Sequence, residues 1–277
     1  MKKNDSRIRE LCATVAVLML ALVGAFAPDA YLPMLFRAFI VPVSVAALAL
    51  AGLAALRRRW WLAQGALLGA GMMLLQLPAA PVSAPAGASP VGLRIFHMNV
   101  LQPNTAFDGA IAQALASDAD LISVQEVSPQ WAVALRCGLD VSHPYAYVEP
   151  RTNCYGIALF SRRPLTGIRL LDVEGAPFIE ACVDVDGRPV RLLAVHATSP
   201  ITYGHFRRRN AQLDQLGTYL AQDDTATIVV GDLNTVPWDG AYGRFCARAG
   251  LRSTMGPLQR TWPSLGPFAA IPLDHVL

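Results

Sequence analysis

A chain of 277 residues with 53% hydrophobic and only 16% charged residues is too apolar for an ordinary soluble enzyme. Its mean hydropathy of +0.37 points to membrane segments. The net charge of +3 is unevenly divided, because the residues before Val91 carry +5 and the remainder, which contains arginine but no lysine, carries −2. The C-terminal part therefore lacks the basic character expected of a nucleic-acid-binding domain.

Three apolar stretches without charge lie near the N-terminus: Leu11–Ala27, Phe39–Leu56 and Trp61–Leu77. Each is close to the roughly 17–25 residues that cross the hydrocarbon core of a bilayer. A secretory signal peptide explains at most the first of them. We therefore predict a membrane anchor with three transmembrane helices in residues 1–78.

The basic residues around these stretches predict the orientation. Lysine and arginine are frequent in the N-terminal tail, and the tight loop after the second stretch is Arg57–Arg59. Basic flanks favour the cytoplasmic side of a membrane. We predict a cytoplasmic N-terminus and an extracytoplasmic location for everything after the third span.

Residues 79–90 are rich in proline and alanine and are predicted to form a linker, followed by a soluble domain over 91–277. Four cysteines lie in that domain, where an oxidising compartment would permit disulfides. Four cysteines allow three complete pairings, and Cys137 with Cys154 is the first choice because both flank a loop-like stretch. No cysteine and histidine spacing typical of zinc sites is present.

Apolar, strand-like runs alternate with helical patterns along the domain. The predicted strands are LRIFHM, DLISVQEV, YAYVEP, YGIALFS, FIEACVDV, VRLLAVHA, TIVVGDLN and LDHVL. The predicted helices lie near Phe107–Ser117, after the Ser128–Pro129 cap, near Gly204–Gln222 and near Trp238–Ala249. The pair Asp186–Gly187 indicates a hairpin. Hairpins mixed with crossovers predict an α/β fold with two sheets.

Polar residues follow several of these strands: Asn99, Glu126, His196, Asp232 and Asn234. Taken singly, each fits a turn, a cap or a half-buried side chain. Strand ends gather at one sheet edge, however, and there the set would form a site for a hard cation and a phosphate group. Glu126 would bind Mg²⁺ or Mn²⁺. Asp232 would orient or deprotonate water, and His196 and Asn234 would donate hydrogen bonds to phosphoryl oxygens.

The ordered motifs FHMNV, DLISVQEV, YGIALFSRRPL, LLAVHATS, IVVGDLNTVPW and PLDHVL resemble the endonuclease/exonuclease/phosphatase superfamily, which includes deoxyribonuclease I. With the apolar N-terminus, the chain resembles its membrane-anchored bacterial branch, which implies a bacterial inner or plasma membrane. The resemblance implies a four-layer α/β sandwich and dependence on Mg²⁺ (or Mn²⁺). It also implies metal binding by Glu126 and Asn99, and phosphate binding by His196 and Asn234. Asp232 would position the nucleophilic water, and Asp274 would orient a catalytic histidine.

The chain departs from the family pattern after Asp274, since no Ser-Asp-His motif follows. We expect a C-terminally truncated domain, with a naturally short, inactive domain as the alternative. His97 shares a strand face with Asn99 and is a further candidate. For the run Arg207–Arg209, a solvated helix face is favoured over binding of an anionic head group.

These observations predict a membrane-anchored, extracytoplasmic, metal-dependent phosphoesterase acting on phosphate mono- or diesters, including lipid-linked ones. An exported nuclease and a catalytically inactive phosphate-binding module are the alternatives. The expected partners are the lipid bilayer and a phosphorylated substrate rather than nucleic acid.

Overall fold

The computed structural model describes residues 2–78, 92–256, 259–263 and 271–277. The predicted linker over 79–90 lies outside these residues. The chain forms two compact units. One contains the N-terminal helices together with Thr235–Gly243, and the other contains the sheets.

The N-terminal helices are α1 (Lys2–Phe26), α2 (Tyr31–Ala38), α3 (Ile40–Leu56) and α4 (Trp60–Leu74). Among the described residues, Asp5–Phe26 is the one single helix long and apolar enough to cross a membrane. The α2–α3 pair, bent by 63°, passes the same test as one broken span. The prediction of three spans is therefore not confirmed, since α4 has only 15 residues.

Helix α4 packs on α1 through small residues four positions apart. A side chain at Gly65 would collide with the Thr14 methyl group at 2.5 Å, and one at Gly69 would lie 3.2 Å from the Ala21 methyl group. Small residues at this spacing let two helix backbones approach closely, as is common between membrane helices. The close packing of α4 therefore depends on these two glycines.

The second unit contains two mixed sheets. The first has the order β1 (Ile95–Asn99), β2 (Leu121–Gln125), β4 (Ile157–Ser161), β3 (Tyr145–Glu149). The second has the order β5 (Leu165–Val173), β6 (Ala176–Val185), β7 (Arg188–His196), β8 (Thr227–Asp232), β9 (Asp274–Val276). The pairs β1–β2 and β7–β8 are parallel, and the other pairs are antiparallel.

Three helices lie in the unit that contains the sheets: α5 (Phe107–Ala116), α6 (Pro129–Leu139) and α7 (Tyr203–Leu220). Helix α8 (Gly240–Ala249) begins in the first unit and continues in the second. An apolar core that includes Trp131 and Leu135 packs α5 and α6 against the first sheet. A second core, with Leu159 and Ile179, fills the space between the sheets. Because α7 buries its apolar face and bonds to the second sheet through Gln212, the unit is an α/β sandwich.

Local sequence signals for caps and turns are confirmed. Ser128 accepts a hydrogen bond from the Trp131 amide at 3.2 Å, with Pro129 as the first residue of α6. Asp186 and Gly187 have φ values of 56° and 79° in the two-residue turn between β6 and β7. Both angles are those of the hairpin turn that aspartate and glycine favour.

Other features differ from the sequence predictions. Strand β5 and helix α2 were not predicted. The Cys137–Cys154 disulfide is wrong, because both residues are free thiols. Strand β5 lies at a sheet edge with mostly exposed residues, so it lacks the alternation of apolar and polar residues that marks a half-buried strand.

Candidate active site

Asn99 and Glu126 leave the first sheet at the same edge. Asn99 is the last residue of β1, and Glu126 directly follows β2, which is parallel to β1 with Asn99 opposite Gln125. The Asn99 Nδ2 donates a hydrogen bond of 2.9 Å to Glu126 Oε1. The backbone N–H of Gln102 donates a second hydrogen bond of 2.9 Å to Glu126 Oε2. Each oxygen of the Glu126 carboxylate therefore accepts a hydrogen bond, which fixes its orientation.

The second sheet delivers three further groups to one edge. His196 and Asp232 end the parallel strands β7 and β8 and lie opposite each other. Asp274 begins β9, which is antiparallel to β8, so it lies opposite Asp232. The parallel and antiparallel pairings therefore place an imidazole and two carboxylates side by side.

One amide connects the two sheets at this site. Besides Glu126, the Asn99 Nδ2 also contacts Asp232 Oδ2 at 3.2 Å. Asp232 Oδ1 accepts a hydrogen bond of 2.8 Å from the backbone N–H of Asn234. The His196 Nε2 lies 3.9 Å from Asp232 Oδ2. Asn99, Glu126, His196, Asp232 and Asn234 therefore meet in one place, as the strand ends predicted.

Two of these residues have unusual backbone conformations. Glu126 and Asn234 have φ values of 64° and 48°, in the left-handed region that non-glycine residues rarely enter. Such conformations persist where surrounding contacts impose them, and they are frequent at functional sites. Here they direct the Glu126 carboxylate and the Asn234 amide into the cluster.

The electrostatics of the cluster are dominated by buried negative charge. Burial raises the pKa of Asp232 well above its usual value of 3.8, and the Asp274 charge raises it further. Burial also lowers the pKa of His196 from its usual 6.5, so the imidazole is neutral near neutral pH. Adjacent carboxylates with a neutral histidine form a site where added positive charge would be favourable.

A divalent cation fits this donor set. Mg²⁺ binds through one or two carboxylates and keeps several water ligands. Asn99 Nδ2 contacts the carboxylates of both Glu126 and Asp232, so oxygen ligands are available side by side. Among the described residues, no three His, Cys, Asp or Glu side chains are arranged to enclose a metal ion. Asn99 Oδ1 accepts a bond from the Leu101 amide at 2.9 Å, so its amide nitrogen faces the carboxylates. The set suits Mg²⁺ or Mn²⁺ better than zinc.

His97 joins the cluster through Asp274. The His97 Nε2 donates a 2.6 Å hydrogen bond to Asp274 Oδ1, and both side chains are largely buried. The shared strand face with Asn99 was the sequence signal for His97. The histidine bonded to Asp274 thus lies 177 positions earlier in the chain, and the role of Asp274 in orienting a catalytic histidine stays a prediction.

Two further residues lie near the site: Tyr155, which was not recognised as a candidate, and Arg209, for which a solvated helix face was favoured. The Tyr155 ring centroid lies 6.0 Å from that of His196, and its hydroxyl is hydrogen-bonded to Thr198. Arg209 is fully buried and donates to the Asn234 carbonyl at 3.2 Å. The solvated-face interpretation of Arg207–Arg209 is therefore wrong for Arg209.

The chain matches known proteins in sequence pattern and in fold. A family model described as Endonuclease/Exonuclease/phosphatase family matches residues 98–277, more than half of the chain. None of the curated proteins matches in sequence.

Three solved structures share the fold. A humanized D. rerio TDP2 is 18% identical, with a TM-score of 0.54 and coverage of 66% of this chain and 82% of that one. The human Nocturnin catalytic domain with bound sulfate is 18% identical, with a TM-score of 0.53 and coverage of 66% and 81%. A beta toxin mutant from Staphylococcus aureus with bound magnesium ions is 15% identical, with a TM-score of 0.53 and coverage of 66% and 82%.

Proposed function

The chain belongs to the Endonuclease/Exonuclease/phosphatase family, and from that we propose that it is a membrane-anchored, metal-dependent phosphoesterase that hydrolyses phosphate mono- or diesters outside the cytoplasm. The observation that carries the proposal is the single Asn99 amide that bonds both Glu126 and Asp232. It brings a metal-binding carboxylate and a carboxylate with a raised pKa into one site.

The proposed cofactor is Mg²⁺ or Mn²⁺, held by Glu126 with Asn99 beside it. A bound cation would act as a Lewis acid on a phosphoryl oxygen and stabilise the negative charge of the transition state. The supporting observation from another protein is the magnesium in the beta toxin of similar fold. Glu126 is prepared for this role because hydrogen bonds from Asn99 and Gln102 fix its orientation.

Asp232 is the proposed general base for the attacking water. A base is most effective when its pKa approaches the working pH. Burial and the Asp274 charge raise the pKa of Asp232 in that direction. The Asn234 amide fixes one Asp232 oxygen, which leaves the other, 3.2 Å from Asn99 Nδ2, to receive the proton.

His196 and Asn234 are the proposed phosphate donors. The neutral imidazole of His196 carries one N–H group that can bond a phosphoryl oxygen. The Asn234 Nδ2 donates one hydrogen to the Ala197 carbonyl at 2.9 Å and keeps a second for the substrate. Donors fixed in this way stabilise developing charge without reorganising. The His97–Asp274 bond supports the same cluster.

The membrane part of the proposal rests on α1 and on the distribution of charge. Asp5–Phe26 has the length and hydropathy of a membrane span. The basic residues before Val91 favour a cytoplasmic N-terminus, with the family domain on the other side. A site at that location would meet phosphate esters of lipids, so a lipid-linked substrate is proposed. The net charge of −2 after Val91 disfavours nucleic acid.

The experiment is a hydrolysis assay with the full chain in detergent micelles, with and without Mg²⁺ or Mn²⁺. The substrates are a generic phosphodiester, a phosphomonoester, a lipid-linked phosphate and supercoiled plasmid. We expect metal-dependent release of phosphate or alcohol, abolished by Asp232→Ala. Plasmid nicking as the main activity would favour the nuclease. Head-group binding without product would favour an inactive binding module, and activity retained by Asp232→Ala would refute the assigned roles.

A further inference from the structure

The segment between α1 and α3, residues 27–39, is organised around a buried arginine. We call this segment the α1–α3 connection. The Arg37 guanidinium donates to the carbonyls of Gly24 and Ala27, near the C-terminal end of α1, and pairs with Asp29 at 2.9 Å. Arg37 is only 8% exposed. A simple tether between apolar helices does not need a buried arginine, because burying a charge is costly unless its partners are fixed.

The same compact unit contains Thr235–Gly243, and this segment contacts the α1–α3 connection. The Trp238 indole, 8% exposed, donates a 2.7 Å hydrogen bond to the Arg37 carbonyl. The Asp29 carboxylate lies against Gly240, the first residue of α8, where a Cβ atom would be 2.1 Å from Asp29 Oδ2. A carboxylate is favourable at the positive N-terminal end of a helix. The contact therefore combines steric fit, a hydrogen bond and charge.

We propose that the α1–α3 connection positions Thr235–Gly243, the segment that directly follows the active-site residue Asn234. Asn234, whose amide fixes Asp232, directly precedes Thr235 in the chain. A shift of Thr235–Gly243 would therefore be transmitted through one peptide bond to the Asp232–Asn234 pair. Asp29, Arg37, Trp238 and Gly240 are positioning residues in this proposal. The proposal concerns the anchor and does not depend on the reaction catalysed.

Cysteine cross-linking tests the contact itself. Asp29→Cys is combined with Gly240→Cys in the full chain, with the five native cysteines replaced by serine and a protease site inserted within residues 79–90. A Cβ atom at Gly240 would lie 2.6 Å from Asp29 Cγ, which is within reach of a disulfide. The matched control is Asp29→Cys with Gly243→Cys, because a side chain at Gly243 meets nothing within 4 Å.

After oxidation and proteolysis, the two fragments should stay covalently linked in the 29/240 pair and separate in the 29/243 pair. Separation of both pairs, or equal linkage in both, would overturn the proposed contact. Because this measurement needs no substrate, its failure is distinguishable from failure of the proposed phosphoesterase activity.

Hydrogen–deuterium exchange tests the positioning. Gly240→Ala forces a methyl group into Asp29 and should speed exchange in peptides over residues 229–236 by about 10-fold or more, whereas Gly243→Ala should leave it unchanged. Trp238→Phe keeps the ring but loses the N–H group, and we expect a smaller increase of about 3–10-fold. Adding Asp29→Ala to Gly240→Ala should restore part of the protection, which general destabilisation would not. Equal exchange in Gly240→Ala and Gly243→Ala would overturn the positioning role.

Discussion

Acidic side chains lie in different environments at the two ends of the central strands, which we call the two edges of the sheets. Where β8 ends, Asp232 is buried beside other carboxylates, and burial raises its pKa well above 3.8. Where β2 begins, Asp118 is exposed, and hydrogen bonds from Arg162 and Arg94 lower its pKa. Where β8 begins, hydrogen bonds from Thr225 and Arg191 lower the pKa of Asp223 to about 2. The same residue type is thus unstable as an anion at one edge and stable at the other.

This contrast separates structural carboxylates from functional ones. Paired, exposed carboxylates such as Asp118 satisfy charge locally and contribute little to stability. A buried carboxylate with a raised pKa is unfavourable for folding unless a ligand compensates its charge, and such groups are concentrated at functional sites. The raised pKa of Asp232 therefore supports the proposal that the active site lies where β8 ends.

The largest expected effect comes from removing a carboxylate at the proposed active site. Glu126→Gln should lower kcat/KM by at least about 100-fold and weaken the dependence of activity on Mg²⁺, because loss of even an indirect metal partner costs about 10–100-fold. Asp118→Asn is the matched control at the other edge and should stay within about twofold of the parent. The measurement is activity as a function of Mg²⁺ concentration for both variants. Equal losses of activity in Glu126→Gln and Asp118→Asn would contradict the proposed metal-binding role of Glu126.

The next effect concerns two buried histidines, one at each edge. His97→Asn breaks the 2.6 Å bond to Asp274 and should reduce kcat by about 10-fold. His143 is also buried, but it bonds the Ala119 carbonyl near the start of β2. His143→Asn should lower the melting temperature without changing kcat per folded molecule. Steady-state kinetics with thermal melting of both variants tests this, and a kcat unchanged in His97→Asn would contradict it.

A smaller effect is the pH dependence of stability without metal. The folded state binds a proton at Asp232 that the unfolded state has released above pH 3.8, so this group makes folding less favourable as pH rises from 3.8 through the raised folded pKa. The melting temperature of Asp232→Asn relative to the parent should therefore increase with pH in EDTA, by a few degrees. Saturating Mg²⁺ should reduce this difference. A difference that is independent of pH would show that the Asp232 charge is already compensated.

The smallest effect has the opposite sign and lies at the other edge. Asp223 has a folded pKa of about 2, lower than the ordinary value of 3.8 for an aspartate. It therefore stabilises the fold above pH 3.8, and this contribution is lost as pH falls through about 2. In Asp223→Asn, stability should no longer fall between about pH 4 and pH 2 because of this group. Near neutral pH, the stability of the variant should change with pH in the same way as that of the parent. Acid titrations of both proteins by circular dichroism would reveal the difference.

Most of the fold and the candidate site were predictable from local sequence. The strands that carry Asn99, Glu126, His196 and Asp232 were recognised because short apolar runs and turn residues mark strands through near neighbours. Strand β5 was missed because an exposed edge strand needs little apolar patterning. The number of membrane spans stays a prediction, since α4 is short and α2 is bent away from α3.

The arginines of α7 show how a local pattern can mislead. Three adjacent arginines indicated a solvated face, yet Arg207 is exposed, Arg208 is half-buried and Arg209 is fully buried. Successive helix residues point about 100° apart, so neighbours in sequence do not share a face. Which of them faces the site was decided by how α7 packs on the second sheet.

The sequence by itself determined which residues end the strands, because strand periodicity and turn chemistry act over a few positions. Only the tertiary structure decided the partners. The His97–Asp274 bond joins residues 177 positions apart, and the Trp238–Arg37 bond joins residues 201 positions apart. Such pairs form only when sheets and helices pack, since no local preference encodes a partner so distant in the chain.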